Sequence, residues 1–116
     1  MKNISDELSQ FAGTEQYHRI GIAKTVATDG VAHLCKEYKC YWLFDEISLV
    51  AQALSSKKEE SFQVWKLDVL SGKALLNCGD GNGRILFHKH IDWTDLEDCV
   101  IEIWWQNGVM MLPSEY

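Results

Sequence analysis

The chain has 116 residues, 47% of them apolar and 11% aromatic, and a formal charge of −6. This is the size of one domain with a core of its own, which argues against disorder and against folding that waits on a metal or disulfide staple. The acidic balance and scattered bases argue against binding a nucleic-acid backbone, and no run reaches the roughly eighteen apolar residues of a membrane span.

In chain order, Met1–Glu7 is polar and acidic and lacks the basic start and apolar core of a signal peptide, so the expected location is cytoplasmic. Ser5 caps a predicted short helix over 5–12, with Leu8, Phe11 and Ala12 on one face and Gly13 ending it. Residues 15–26 leave helix and strand open; Tyr17, Ile20, Ile22 and Val26 fit a short extended piece. Thr28 caps a second predicted helix, in which Val31, Leu34, Cys35 and Tyr38 follow helical spacing. A third runs over 41–54 with Leu43, Phe44, Ile47, Val50, Ala51 and Leu54 as its apolar stripe, and residues 55–58 form a polar exit loop.

From Ser61 the period changes to two. Trp65, Leu67 and Val69 alternate with Lys66 and Asp68, giving a half-buried strand that turns at Ser71-Gly72. A second strand covers 74–78 and ends at the Asp80-Gly81-Asn82-Gly83 turn. Ile85, Phe87, Ile91 and Trp93 line a third strand, with Lys89 interrupting the apolar row. A fourth covers 100–105, Asn107-Gly108 is the best hairpin signal, and 109–112 makes a fifth strand closed by Pro113. The predicted fold is a single α+β domain over 1–116. Residues 1–56 are mainly helical, and two to three helices pack on an antiparallel meander of four to five strands over 61–116.

Charge is uneven along the chain. Residues 1–90 carry eleven acids and eleven bases, whereas 91–116 carry six acids and no lysine or arginine. That last quarter also holds Trp93, Trp104 and Trp105. Acidic aromatic surface is chemistry for a cationic partner. Because Trp104 and Trp105 point to opposite faces of one strand, one indole is core and the other is a candidate anchor.

Several blocks resemble a family of small bacterial and phage proteins known only as a domain of unknown function. They are Phe11–Glu15, Thr28-Asp29-Gly30-Val31, Cys40–Asp45, Phe62-Gln63-Val64-Trp65, Asp80–Gly83 and Gly108–Tyr116. The resemblance runs nearly end to end and carries no activity, substrate or cofactor. It implies a phage or mobile-element setting, where small proteins often work by binding host factors.

The remaining chemistry-bearing residues have bland readings beside sharp ones. Cys78, His88, His90 and Cys99 could supply a zinc set, but their spacing fits no zinc ribbon or finger, and solvent-facing histidines beside buried thiols are the simpler reading. Cys35 and Cys40 with His33 are a looser set. Cys99 with His88 could be a nucleophile and base, without any accompanying catalytic signature. The Asp80–Gly83 amides could cradle a phosphate, although a glycine-rich turn explains the composition.

The leading expectation is therefore a non-enzymatic, cofactor-free binding protein acting by contact with a basic protein surface. Trp93, Trp104 and Trp105 would anchor it, with Asp95, Glu97, Asp98 and Glu102 selecting for charge; inhibition of a nucleic-acid-binding host defence complex is one version. The first alternative is a nucleotide-binding or sequestering protein, homo-oligomeric in one form, using Arg19 or Arg84. The second is a Cys/His-dependent enzyme.

Overall fold

The computed structural model describes residues 18–19, 26–56 and 62–115. The predicted helix over 5–12, most of the 15–26 piece and the loop at 57–58 lie outside the described residues. Two short strands come first, β1 (His18–Arg19) and β2 (Val26–Ala27), then the helices α1 (Asp29–Glu37) and α2 (Tyr41–Ser56). Five strands follow: β3 (Phe62–Leu70), β4 (Lys73–Gly79), β5 (Ile85–Ile91), β6 (Cys99–Gln106) and β7 (Val109–Met111). A single 3₁₀ turn, Pro113–Glu115, completes the described chain.

The class is α+β with a mostly antiparallel sheet, as the change of period implies, but the connectivity is not a meander. The seven strands lie in the order β1-β2-β7-β6-β3-β4-β5. After two hairpins in sequence, the chain leaves β5 at one edge and returns to pair β6 with β3, from Phe62↔Gln106 to Val69↔Cys99. Spatially β6-β3-β4-β5 is a Greek key. The seven residues between β5 and β6 are too many for a tight hairpin, and they cross the sheet end over the Ser71-Gly72 turn. There the Thr94 amide donates to the Gly72 carbonyl (2.8 Å), and the Ser71 amide donates to the Asp98 carboxylate (2.8 Å). The amino-terminal half is also less purely helical than expected, because β2 joins the sheet by parallel pairing with β7.

Burial follows the alternation. Trp65, Leu67 and Val69 of β3, Leu76 and Cys78 of β4, and Ile101, Ile103 and Trp105 of β6 face the helices and are almost completely buried. From α1 and α2 come Val31, Leu34, Leu43, Phe44, Ile47 and Ala51. Both two-residue turns use backbone that the sequence supplies: Ser71 and Gly72 have φ of 55° and 78°, and Asn107 and Gly108 have 51° and 83°.

Two polar contacts fix the helices on this sheet. Gln63 has no solvent exposure. Its amide donates to the Ala51 carbonyl of α2 (3.1 Å), and its oxygen accepts from the Trp65 indole (2.9 Å) and, more weakly, from the Cys78 thiol (3.8 Å). At the other end of the domain Glu115 closes the start of α1. Thr28 is the cap residue but makes no cap bond of its own. Instead the Thr28 hydroxyl and the amides of Gly30 and Leu112 all donate to the Glu115 carboxylate. A negative group there satisfies free amides and meets the positive end of the helix dipole.

These two contacts give measurable expectations. Gln63→Leu strands the Trp65 N–H in the core and should cost about 1–3 kcal/mol, read as a lower urea midpoint at unchanged slope. A Cβ on Gly30 would lie 2.5 Å from Leu112 Cδ1 and 2.6 Å from Glu115 Oε1. Gly30→Ala should therefore destabilise by about 1–3 kcal/mol through overpacking, and Glu115→Ala by about 1–2 kcal/mol through loss of the cap, in the same assay.

Candidate functional site

The crossover loop, residues 92–98, carries Asp92, Asp95, Glu97 and Asp98 and no base. Its conformation is fixed from beneath. Thr94 and Leu96 are 5% and 7% exposed, and the Thr94 hydroxyl accepts the Leu96 amide (3.2 Å). With these two tied inward, the residues between and around them turn out. Asp95 and Glu97 are exposed, and Trp93 is 75% exposed. An indole held so far into water on an anchored loop forgoes burial worth about 2 kcal/mol, a cost in keeping with a binding anchor.

Trp93 stands at the end of a groove of ≈ 640 Å³ between the start of α2 and the carboxyl end of β5. Lys39, Trp42 and Glu46 line its helical side, Lys89, His90 and Ile91 its β5 side, and Asp92, Trp93 and Asp95 its end. Lys89 interrupts the apolar row of β5 because it reaches up to α2, where its ammonium meets Glu46 at 2.9 Å. Lys89 is thus answered within the groove, and Asp92, Asp95 and Lys39 line it beside two accessible indoles. The sequence reading missed Trp42 and Glu46; the available signal was an indole at the first turn of an otherwise apolar-striped helix.

The structure divides the seven residues expected to form one surface. Trp93, Asp95, Glu97 and Asp98 share the loop, although Asp98 spends one oxygen on the Ser71 amide. Glu102 and Trp104 lie on the face of the sheet away from the helices, on β6, which β3 and β4 separate from β5. They engage each other: the Trp104 indole donates to Glu102 (2.7 Å), and its ring meets Phe62 edge-on at 5.5 Å. Trp105 is the core member of the pair, 3% exposed, with an indole N–H that finds no partner among the described residues. It is no surface anchor.

The metal and nucleophile readings meet a similar separation. His88 and His90 are exposed, with ring centroids 6.3 Å apart, on the face away from the helices. Cys78 pairs with Phe87 and points into the core, and Cys99 lies on β6 opposite Val69. No group of three or more His, Cys, Asp or Glu among the described residues could hold a metal ion. Burial pushes the thiols of Cys35 and Cys40 up to about 12, and that of Cys99 to about 11. A neighbouring thiol and a carboxylate add to the effect at Cys35 and at Cys40, carboxylates alone add to it at Cys99, and a backbone hydrogen bond partly opposes it at Cys40. Such groups stay protonated, whereas a thiol nucleophile must ionise.

The Asp80–Gly83 turn is self-satisfied. The amides of Asn82 and Arg84 both donate to Asp80 Oδ1, at 2.7 and 3.2 Å, and the Asp80 amide donates to the Arg84 carbonyl. These are the amides a phosphate cradle would need. A shallow recess of ≈ 460 Å³ beside the turn is lined by Lys66, Asn77 and Arg84. Arg19 lies in β1, at the far side of the sheet.

Taken with this geometry, comparison with known proteins places the chain in a family of unknown function, DUF6876, whose model matches residues 2–116. No curated protein and no solved structure matches it. No helix among the described residues is long and apolar enough to cross a membrane.

The raised thiols give a pH expectation. Below pH 9.0, their ordinary value, they are protonated in folded and unfolded chains alike and add no pH dependence. Above 9.0 the unfolded chain releases these protons first, while the fold holds them to about 11 or 12, so stability falls across that window. Urea midpoints measured upward from pH 9.0 should drop less steeply in Cys35→Ala/Cys40→Ala than in the parent.

Proposed function

We propose that this is a non-enzymatic binding protein that grips a cationic segment of a partner protein at the Trp93 loop. The observation that carries the reading is Trp93 itself, 75% exposed on an anchored loop among four carboxylates and facing Trp42 across a groove. A guanidinium or ammonium group can stack on an indole there while pairing with Asp92 or Asp95. A partner whose basic surface ordinarily holds nucleic acid fits this chemistry, because the carboxylates offer it an alternative to phosphate. In this reading the anchor role given to Trp104 and Trp105 from the sequence passes to Trp42, and the charge selection given to Glu102 passes to Asp92.

The test uses a threonine-rich, end-blocked peptide with one central arginine, and the same peptide with glutamate in its place, followed by tryptophan fluorescence. The arginine peptide should bind and the glutamate peptide should not. Trp93→Ala should weaken binding about tenfold, the effect of an anchor carrying some 1.4 kcal/mol. Neutralising Asp92, Asp95 and Glu97 to Asn and Gln should mainly slow association, and salt should erase that difference as the Debye length falls from about 10 Å at 0.1 M to about 3 Å at 1 M. Equal binding of both peptides, or wild-type affinity in Trp93→Ala, sinks the reading.

A further inference from the structure

We propose that β5, the edge strand of the sheet among the described residues, takes up an extended segment of the partner as a further strand, so that alternate side chains of that segment enter the groove between α2 and β5. The inference rests on the binding reading above and specifies how the cationic segment is held.

Three observations lead to it. First, β5 ends the sheet among the described residues. It is seven residues long and contains no proline. At about 3.3 Å per residue it offers some 20 Å of backbone, ample for a strand-addition contact. Second, the lysine of this edge strand is engaged on the helix side. An edge lysine normally discourages pairing by carrying charge into water beside the strand. Here Lys89, its side chain half exposed, reaches over the helix side to Glu46 at 2.9 Å.

Third, the groove continues the edge. Side chains of a strand alternate between faces, so an added strand lays every second residue on the helix side, beside Lys89 and Ile91. That side is walled by Trp42 and Glu46, and Trp93 and Asp95 close it at the carboxyl end of β5. A helix lying beside an edge strand forms a slot that reads both backbone and side chain. The charges select the occupant. Lys39 and Lys89 both line the groove against Glu46, Asp92 and Asp95, which leaves one carboxylate in excess beside two indoles and favours a cationic side chain at the closed end, best a planar guanidinium. A neighbouring residue of the same segment, pointing to the opposite face, would meet the exposed His88.

Backbone pairing and side-chain capture are separable by experiment. The arginine peptide is made in a second form with alternate amides N-methylated, in two registers, which removes strand hydrogen bonds and keeps the guanidinium. Strand addition predicts at least a tenfold loss of affinity in one register and little in the other. It also predicts slowed amide exchange on peptide binding, confined in β5 to those amides that point away from β4. The N-methyl pair and the exchange map together decide the matter, since neither alters the fold of β5. If both N-methylated peptides bind like the parent and β5 exchange is unchanged, while Trp93→Ala still weakens binding, strand addition is wrong and the Trp93 reading stands. If the unmodified arginine peptide does not bind, both fail. If sedimentation shows the protein alone forming a dimer that the peptide does not dissociate, the edge belongs to a second copy and the proposal is overturned.

Discussion

A fully buried glutamine amide decides where the long helix sits on this sheet. Gln63 joins the Ala51 carbonyl of α2 to the Trp65 indole and the Cys78 thiol. Every buried polar atom in that set loses water, and an unpaired one costs about 1–3 kcal/mol, so the α2 position that pairs them is strongly preferred over nearby ones. The groove depends on this. Only with α2 held over β3 and β4 does its first turn bring Trp42 and Glu46 to the rim beside β5, where Lys89 completes the second tether. Removing solvent from Gln63 thus sets the width of a slot at the opposite end of the helix.

The crossover loop follows the same economy of means. A crossover could have been slack, yet Thr94 and Leu96 are pulled under it and the turn at Ser71-Gly72 is shared with it. Inward and outward residues then alternate although the segment is not a strand. The exposed positions go to an indole and to carboxylates, which makes the outer surface chemically uniform and conformationally fixed. Preorganisation of this kind lowers the ordering cost of binding.

Local signals were legible and long-range ones were not. Thr28, the stripe from Leu43 to Leu54, the Trp65–Val69 alternation and the Asn107-Gly108 turn each place their element, because each reports spacing within one element. The Greek key was hidden because pairing of β6 with β3 is a relation between distant segments. Two clues existed: Lys89 weakens the apolar row of β5, as suits an edge, and the stretch from Asp92 to Asp98 is long for a hairpin. The acidic bias of the last quarter falls largely on the exposed 92–98 loop. It could not separate Trp93, lifted by its loop, from Trp105, which strand parity turns into the core. Gln63 and Glu115 carry no spacing signal; a single polar residue gives none until its distant partners are in place.

The Glu115 clamp has a kinetic side. It joins the start of α1 to a residue 87 positions later through Thr28, and the parallel pairing of Val26 with Val109 closes a loop of nearly the same span. Hairpins such as β3–β4 and β4–β5 can form from neighbouring residues, but these closures demand that most of the chain be collected first. Loop entropy must be spent before the contacts repay it, which places such topologies on the slow side for their size. Until β6 arrives, the inner flank of β3 is an open edge backed by Trp65, Leu67 and Val69. The interval between hairpin formation and closure is therefore when this chain is most prone to pairing with another nascent copy, and the late insertion of β6 is the step that ends the exposure.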